Sequence, residues 1–221
     1  MWKFDHPNSV EGCSDMSDSD IGGFSSVKLE YRPQTSADPP HAFFTGEISN
    51  KLPSGETDVE RTGYAAFRTR DRPPTMFGKS LWNVDRYKFL ALRVKTDGRK
   101  YKVNVQTESL VYTDLHQHRL YARRPGRWET VLIKWNDFVR TNHGIVVEPQ
   151  SEIMKEKVRT VGIGLTDRLP GTFQMCVSRI WACNGLTKEE IEEAEDNEAR
   201  YVPKHFLGIG TEHIDKDRAR L

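Results

Sequence analysis

The chain has 221 residues, 36% hydrophobic and 29% charged, with 33 lysines and arginines against 32 acids for a formal net charge of +1. This composition supports one large domain, or one domain with an extension. It lacks an apolar run of about 18 residues, the length that would cross a membrane, and its near-neutral balance gives no overall electrostatic footprint for nucleic acid.

The opening Met1-Trp2-Lys3-Phe4-Asp5-His6 has no apolar stretch of the signal-peptide kind, and its acid comes too early for a transit peptide. The chain therefore reads as cytosolic, or as one whose targeting segment has been removed. Residues 2–5 form the first expected strand. Residues 11–20 are polar and loop-like, and contain Cys13. Asp15, Asp18 and Asp20 stand before Gly22-Gly23. Oxygen-rich loops of this kind can hold calcium, but the EF-hand spacing is absent. Local turn chemistry is the competing reading: aspartates accept from nearby amides and paired glycines permit positive φ.

From Val27 onward period-two alternation dominates. Val27, Leu29 and Tyr31 oppose Lys28, Glu30 and Arg32; Tyr101, Val103 and Val105 oppose Lys102, Asn104 and Gln106. That pattern marks half-buried antiparallel strands. Further strands are expected at 42–48, 63–69, 87–95, 119–123, 129–135, 157–165 and 172–182, with no convincing helix among them. Residues 33–40 read as loop. Asp97-Gly98 reads as a tight hairpin turn between two strands. Strands at this spacing, separated by Pro- and Gly-rich turns, imply an all-β sandwich or jelly roll.

The side chains that carry chemistry form no catalytic pattern. Gly78-Lys79-Ser80 matches the end of a phosphate-binding loop, but Pro73 stands where that loop needs glycine. His116 and His118 could share a strand face as metal ligands, with Asp114 the nearest third candidate; the competing reading is an exposed polar loop between Tyr112 and Tyr121. No nucleophile elbow is present, and no cysteine has a partner motif. No pair of acids is marked out for glycoside hydrolysis. Cys176 and Cys183 are seven residues apart; on a continuous strand they face opposite ways and cannot bond to each other. With no CxxC and no Asn-x-Ser/Thr sequon, the cysteines fit a reducing compartment. The four arginines of 119–127 read as a solvated strand face. Trp128 and Trp135 should point to opposite faces, with Trp128 favoured for the core and the other free to anchor a partner.

At Gly185 the character changes. Thr187-Lys188-Glu189-Glu190 is a capping box, and an acidic helix follows over residues 189–198. This divides the chain into a sandwich at 1–185 and, at 186–221, an acidic helix with an extended tail.

The ordered set Asp20-Ile21-Gly22-Gly23-Phe24-Ser25, Gly63-Tyr64-Ala65-Ala66-Phe67-Arg68, Tyr87-Lys88-Phe89-Leu90-Ala91-Leu92-Arg93-Val94, Trp128-Glu129-Thr130-Val131-Leu132-Ile133 with Phe138, and Val161-Gly162-Ile163-Gly164-Leu165 resembles the complex I intermediate-associated protein family. It departs from the family pattern at Lys134-Trp135. The resemblance implies an all-β, galactose-binding-like jelly-roll sandwich with a short C-terminal helix and tail, and no cofactor. It also implies a non-catalytic, chaperone-like assembly factor in the mitochondrial matrix or at the inner-membrane periphery. The implied partners are complex I assembly intermediates and other assembly factors. In fungi these include a helical-repeat factor; in animals, a flavoprotein and an adaptor-type factor. The expected partner-binding anchors are Tyr112, Tyr121, Arg123 and Trp135 on one sheet, with Tyr201, Phe206 and Leu207 in the tail. A carbohydrate-binding module of the same fold is the alternative, and a jelly-roll hydrolase a third reading.

Overall fold

The computed structural model describes residues 1–54, 59–76, 78–109, 111–188 and 190–191. The chain divides into two units, Met1–Asn184 and Gly185–Leu221. The described strands of the first are β1 (Trp2–Lys3), β2 (Cys13–Ser17), β3 (Ser26–Arg32), β4 (His41–Ile48) and β5 (Ala65–Thr69). There follow β6 (Arg72–Thr75), β7 (Gly78–Ser80), β8 (Phe89–Thr96), β9 (Tyr101–Thr107) and β10 (Asp114–Arg119). The last are β11 (Trp128–Lys134), β12 (Val139–Asn142), β13 (Ile145–Val146), β14 (Val158–Leu165) and β15 (Gly171–Cys183).

One sheet runs β11-β8-β15-β4-β3, with β1 on β15; the other runs β13-β12-β10-β9-β14-β5-β2. Their strand pairs are antiparallel. Alternation builds the core between them. Val103, Val105, Ile163, Leu165 and Phe67 come from one sheet, and Leu90, Leu92, Val94, Phe44 and Val177 from the other. Phe44 lies at the centre, its ring 5.0 Å from that of Phe67 and 4.9 Å from that of Phe173, within the range in which tilted and edge-on rings attract. The β6–β7 hairpin carries Gly78-Lys79-Ser80, with Lys79 paired to Glu108 at 3.1 Å.

Four expectations need correction. Asp97-Gly98 does not close a hairpin: β8 and β9 belong to different sheets, so this turn carries the chain across the sandwich. Its local chemistry is as expected, with Gly98 at φ +91 and Asp97 accepting from the Arg99 amide at 2.9 Å. The strand expected at 119–123 lies instead at Asp114–Arg119; polar residues on both of its faces hid it from a hydropathy reading. Residues 11–20 are not all loop, since Cys13–Ser17 pairs with β5 as an edge strand. Finally, β15 is not regular: its register on β8 shifts between Val177 and Arg179. This bulge reverses the alternation. Val177 and Ile180 both enter the core, and Cys176 and Cys183 share the outward face. Neither forms a disulfide.

The aspartate-rich loop resolves as turn chemistry around one residue. Asp18 is fully buried, and its carboxylate accepts from the Ser25 amide at 2.7 Å, the Ser25 hydroxyl at 2.8 Å and the Gly63 amide. Gly23 passes so close that an added Cβ would stand 2.5 Å from the Asp18 carboxyl carbon. Asp15 and Asp20 are exposed. A short helix at Asn8–Glu11 and three 3-10 turns, at Asp18–Ile21, Trp135–Asp137 and Lys155–Lys157, complete the first unit's described elements.

In the second unit the capping box forms. The Thr187 amide donates to Glu190 Oε2 at 2.9 Å, and the Glu190 amide to Thr187 Oγ1 at 3.2 Å. Most of the expected acidic helix, and the tail anchors Tyr201, Phe206 and Leu207, lie outside the described residues. Among the described residues no helix is long and apolar enough to cross a membrane.

Candidate functional site

The outward face of the first sheet holds a hollow of about 740 Å³ against the loop 33–40, lined among others by Asp38, His41, Lys95, Gln174 and Cys176. Asp38 is its hub. Its Oδ1 accepts from Lys95 Nζ at 2.5 Å and from Trp128 Nε1 at 2.7 Å. The Trp128 ring lies edge-on to His41, centroids 5.3 Å apart, and under the Lys95 ammonium at 5.6 Å. Burial would raise the Asp38 carboxyl, but the bonds from Lys95 and Trp128 outweigh it and hold the group below the usual carboxylate range. Burial pushes the Cys176 thiol up to about 11 and that of Cys13 up to about 12. Both stay protonated at neutral pH, where the thiolate is the nucleophile. These groups satisfy one another, and the cluster acts as a clasp that fastens the loop to the sheet.

The tryptophans alternate as expected, but their faces are reversed. Trp128 is 4% exposed and sealed on the outward face by Asp38, His41 and Lys95. Trp135 is 1% exposed and sits in the core, its ring stacked on Phe138 at 5.9 Å. The 3-10 turn that follows β11 carries Trp135 inward. It is therefore not an exposed anchor, and it does not share a sheet with Tyr112 and Tyr121.

The other expected anchors among the described residues are at the surface. Tyr112 is 76% exposed, Tyr121 is 58% exposed, and Arg123 is exposed with its amide held by Glu129 at 3.0 Å. The tyrosines flank opposite ends of β10, so they do not form one patch. Tyr112 instead joins residues that the sequence reading missed. The turn at 111–114 is tied to β9 by Gln106 Nε2 donating to the Tyr112 carbonyl at 2.7 Å, and to β12 by Asn142 Nδ2 donating to Thr113 Oγ1 at 2.8 Å. Beside it β12 and β13 form a hairpin at the end of the sheet. Val111, Ile145 and Val146 are all exposed there. The signal for the hairpin was His143-Gly144: both have positive φ, 48 and 77, as a type I′ turn requires. The apolar run Ile145-Val146-Val147 follows it directly.

His116 and His118 lie on β10 rather than in a loop, facing inward opposite Val105 and Val103. Burial, reinforced by Arg140, keeps the His116 imidazole below its ordinary pKa against the opposing pull of the Ser151 backbone and of Asp114. Because the folded value is depressed, this residue's contribution to stability is full above the unfolded value of about 6.5 and is lost as pH falls below it. His116→Gln is accordingly expected to flatten the decline in urea midpoint between about pH 7 and 5; a slope equal to wild type would contradict this. Among the described residues no three His, Cys, Asp or Glu side chains gather to hold a metal.

The sequence profile described as "Complex I intermediate-associated protein 30 (CIA30)" matches residues 2–177. The mitochondrial complex I intermediate-associated protein 30 of Neurospora crassa is 47% identical over 220 residues, covering 91% of this chain and 79% of its own. The protein so named in Mus musculus is 25% identical over 176 residues, 78% of this chain and 52% of its own. For a probable counterpart in Caenorhabditis elegans the identity is 31%, over 76% of this chain and 48% of its own. The chain thus spans most of the fungal relative and about half of the animal ones. Among solved structures, a family 11 carbohydrate-binding module from a cellulosomal cellulase of Clostridium thermocellum superposes with a TM-score of 0.55 at 10% identity, covering 80% of this chain and 89% of the module. A second module structure from that organism, in complex with a mixed-linked tetrasaccharide, gives 0.53 at 11%, covering 79% and 90%. This likeness is one of fold, the galactose-binding-like β-sandwich.

Proposed function

The chain belongs to the complex I intermediate-associated protein 30 family, and from that premise we propose that it is a non-catalytic assembly factor for mitochondrial respiratory complex I. It works by binding assembly intermediates, in the matrix or at the inner-membrane periphery. The relatives named mitochondrial support the compartment, and of the two partner sets the family implies, the match to Neurospora favours the fungal one. The Cys13 and Cys176 thiols, raised by burial, are protonated, which favours holding over reacting.

The observation that carries the binding reading is the edge at β13, beside which no further strand pairs among the described residues; Ile145 and Val146 face solvent there, as do Val111 and Tyr112 in the neighbouring turn. An edge strand presents unpaired backbone groups to an incoming strand, and exposed aromatic and apolar side chains supply the buried contacts on which interfaces depend. Tyr121 and Arg123 form a separate, lesser contact. The fold's likeness to sugar-binding modules does not by itself assign a sugar.

The test is affinity capture from mitochondria with the full chain and its Tyr112→Ala/Ile145→Ser variant. Wild type is expected to recover complex I subunits. The variant is expected to lose recovery by tenfold or more, since two hot-spot truncations cost about 1–2 kcal/mol each, with an unchanged thermal midpoint. Equal recovery would remove this edge from the mechanism, and no recovery of complex I subunits by either would remove the assembly reading.

A further inference from the structure

The near-zero net charge conceals a local concentration of cations. The turn at Asp97-Gly98, the loop 120–127 and the loop 166–171 meet at one end of the sandwich: Gly126 donates to the Thr96 carbonyl at 2.7 Å and Arg99 Nη1 to the Gly171 carbonyl at 3.1 Å. Beside them lies a cavity of about 270 Å³ lined by Lys100, Lys102, Arg119, Thr166, Asp167 and Leu169. Lys102 on β9 stands directly opposite Arg119 on β10 and opposite Gly164 on β14. The two cations therefore share the outward face of the second sheet, next to a strand position that has no side chain. Lys100, two residues before Lys102, points the same way.

Among the described residues of the lining, the one carboxylate, Asp167, is already committed. Both oxygens of Asp167 accept from Arg99, at 3.0 and 2.7 Å. Among the described residues no acid pairs with Lys100, Lys102 or Arg119; the Arg119 guanidinium lies 5.1 Å over the Tyr121 ring instead. Three unpaired positive charges around one small cavity repel each other, and a bound anion relieves that repulsion. A single carboxylate carries one charge. A phosphate group carries up to two and offers several strong acceptor oxygens, which matches two ammonium groups, a forked guanidinium and the Thr166 hydroxyl. We propose that this cavity is a phosphate-binding site. Its rim favours a lipid headgroup as the source: Leu169 is 57% exposed at the mouth, and Tyr121 stands exposed beneath Arg119. Apolar and aromatic tips around a basic centre are what an anionic bilayer surface accepts.

The test uses the purified full chain and no protein partner, so its outcome is separate from that of the assembly reading. One arm measures flotation with phosphatidylcholine vesicles, with and without phosphatidic acid; the other measures binding of inorganic phosphate alone. The cavity variant is Lys100→Gln/Lys102→Gln/Arg119→Gln. The control, Lys3→Gln/Lys28→Gln/Lys79→Gln, removes the same charge from other parts of the surface. Flotation is expected to require phosphatidic acid and to be competed by inorganic phosphate. At about fivefold per basic residue, the cavity variant is expected to bind more than about fiftyfold more weakly, and the control within about threefold of wild type. Saturable phosphate binding without flotation, lost in the cavity variant, supports the site and assigns it to a soluble phosphate compound. Should the triple variant unfold, Arg119→Gln alone is read in the same assay, with about a fivefold loss expected. Absence of binding in both arms, equal binding by the cavity variant, or an equal loss in the control overturns the proposal.

Discussion

Replacing Asp18 by alanine is expected to lower the unfolding free energy by about 3–5 kcal/mol, because three donors lose a buried acceptor together and each such loss costs about 1–3 kcal/mol. The donors are the Ser25 amide, the Ser25 hydroxyl and the Gly63 amide. They join the turn before β3 to the segment before β5, so the variant should loosen both. Asp18→Asn keeps one acceptor oxygen and should lose less. Gly23→Ala should also destabilise, since its Cβ would stand 2.5 Å from the Asp18 carboxyl carbon. Denaturant midpoints measured with and without calcium separate this account from the metal reading of the same loop. The turn account predicts the same loss in both conditions. A wild-type midpoint that rises with calcium, and a variant that does not respond, would favour metal.

Trp135→Ala is expected to cost about 3–5 kcal/mol, the usual consequence of emptying a large aromatic site in a core. The indole stacks on Phe138 and is 1% exposed. Its Nε1 has no hydrogen-bond partner among the described residues, so Trp135→Phe removes volume without breaking a bond and should cost much less. Tyr112→Ala, at a 76% exposed position, should change stability by no more than about 0.5 kcal/mol. The contrast can be read from urea midpoints alone. A Trp135→Ala protein as stable as wild type would mean that the side chain does not fill the core.

The parts of the fold legible in the sequence are those where burial alternates cleanly. On β9, Tyr101, Val103 and Val105 are buried between half-buried Lys102, Asn104 and Gln106, and the period of two alone locates the strand. The capping box at Thr187 was legible because its chemistry is wholly local. What could not be read depended on distant contacts. The inward histidines of β10 look polar until Val103 and Val105 are placed opposite them. The Asp97-Gly98 turn has hairpin chemistry, and only the sheet order shows that it joins two layers. The β15 bulge leaves no mark in residue type, yet it decides which way Cys183 faces. The family motifs located the Asp18 turn and the Trp128 strand, but not the apolar edge at Ile145, because β12 is polar and β13 spans only two residues.

We propose that this sandwich holds unfinished complex I subunits at the β13 edge of its second sheet. Amide hydrogen exchange on the full chain, free and in isolated assembly intermediates, tests it most directly. Exchange is expected to slow at residues 111–114 and 142–147 in the bound state. Unchanged rates there, with protection confined to the outward face of the first sheet, would contradict it.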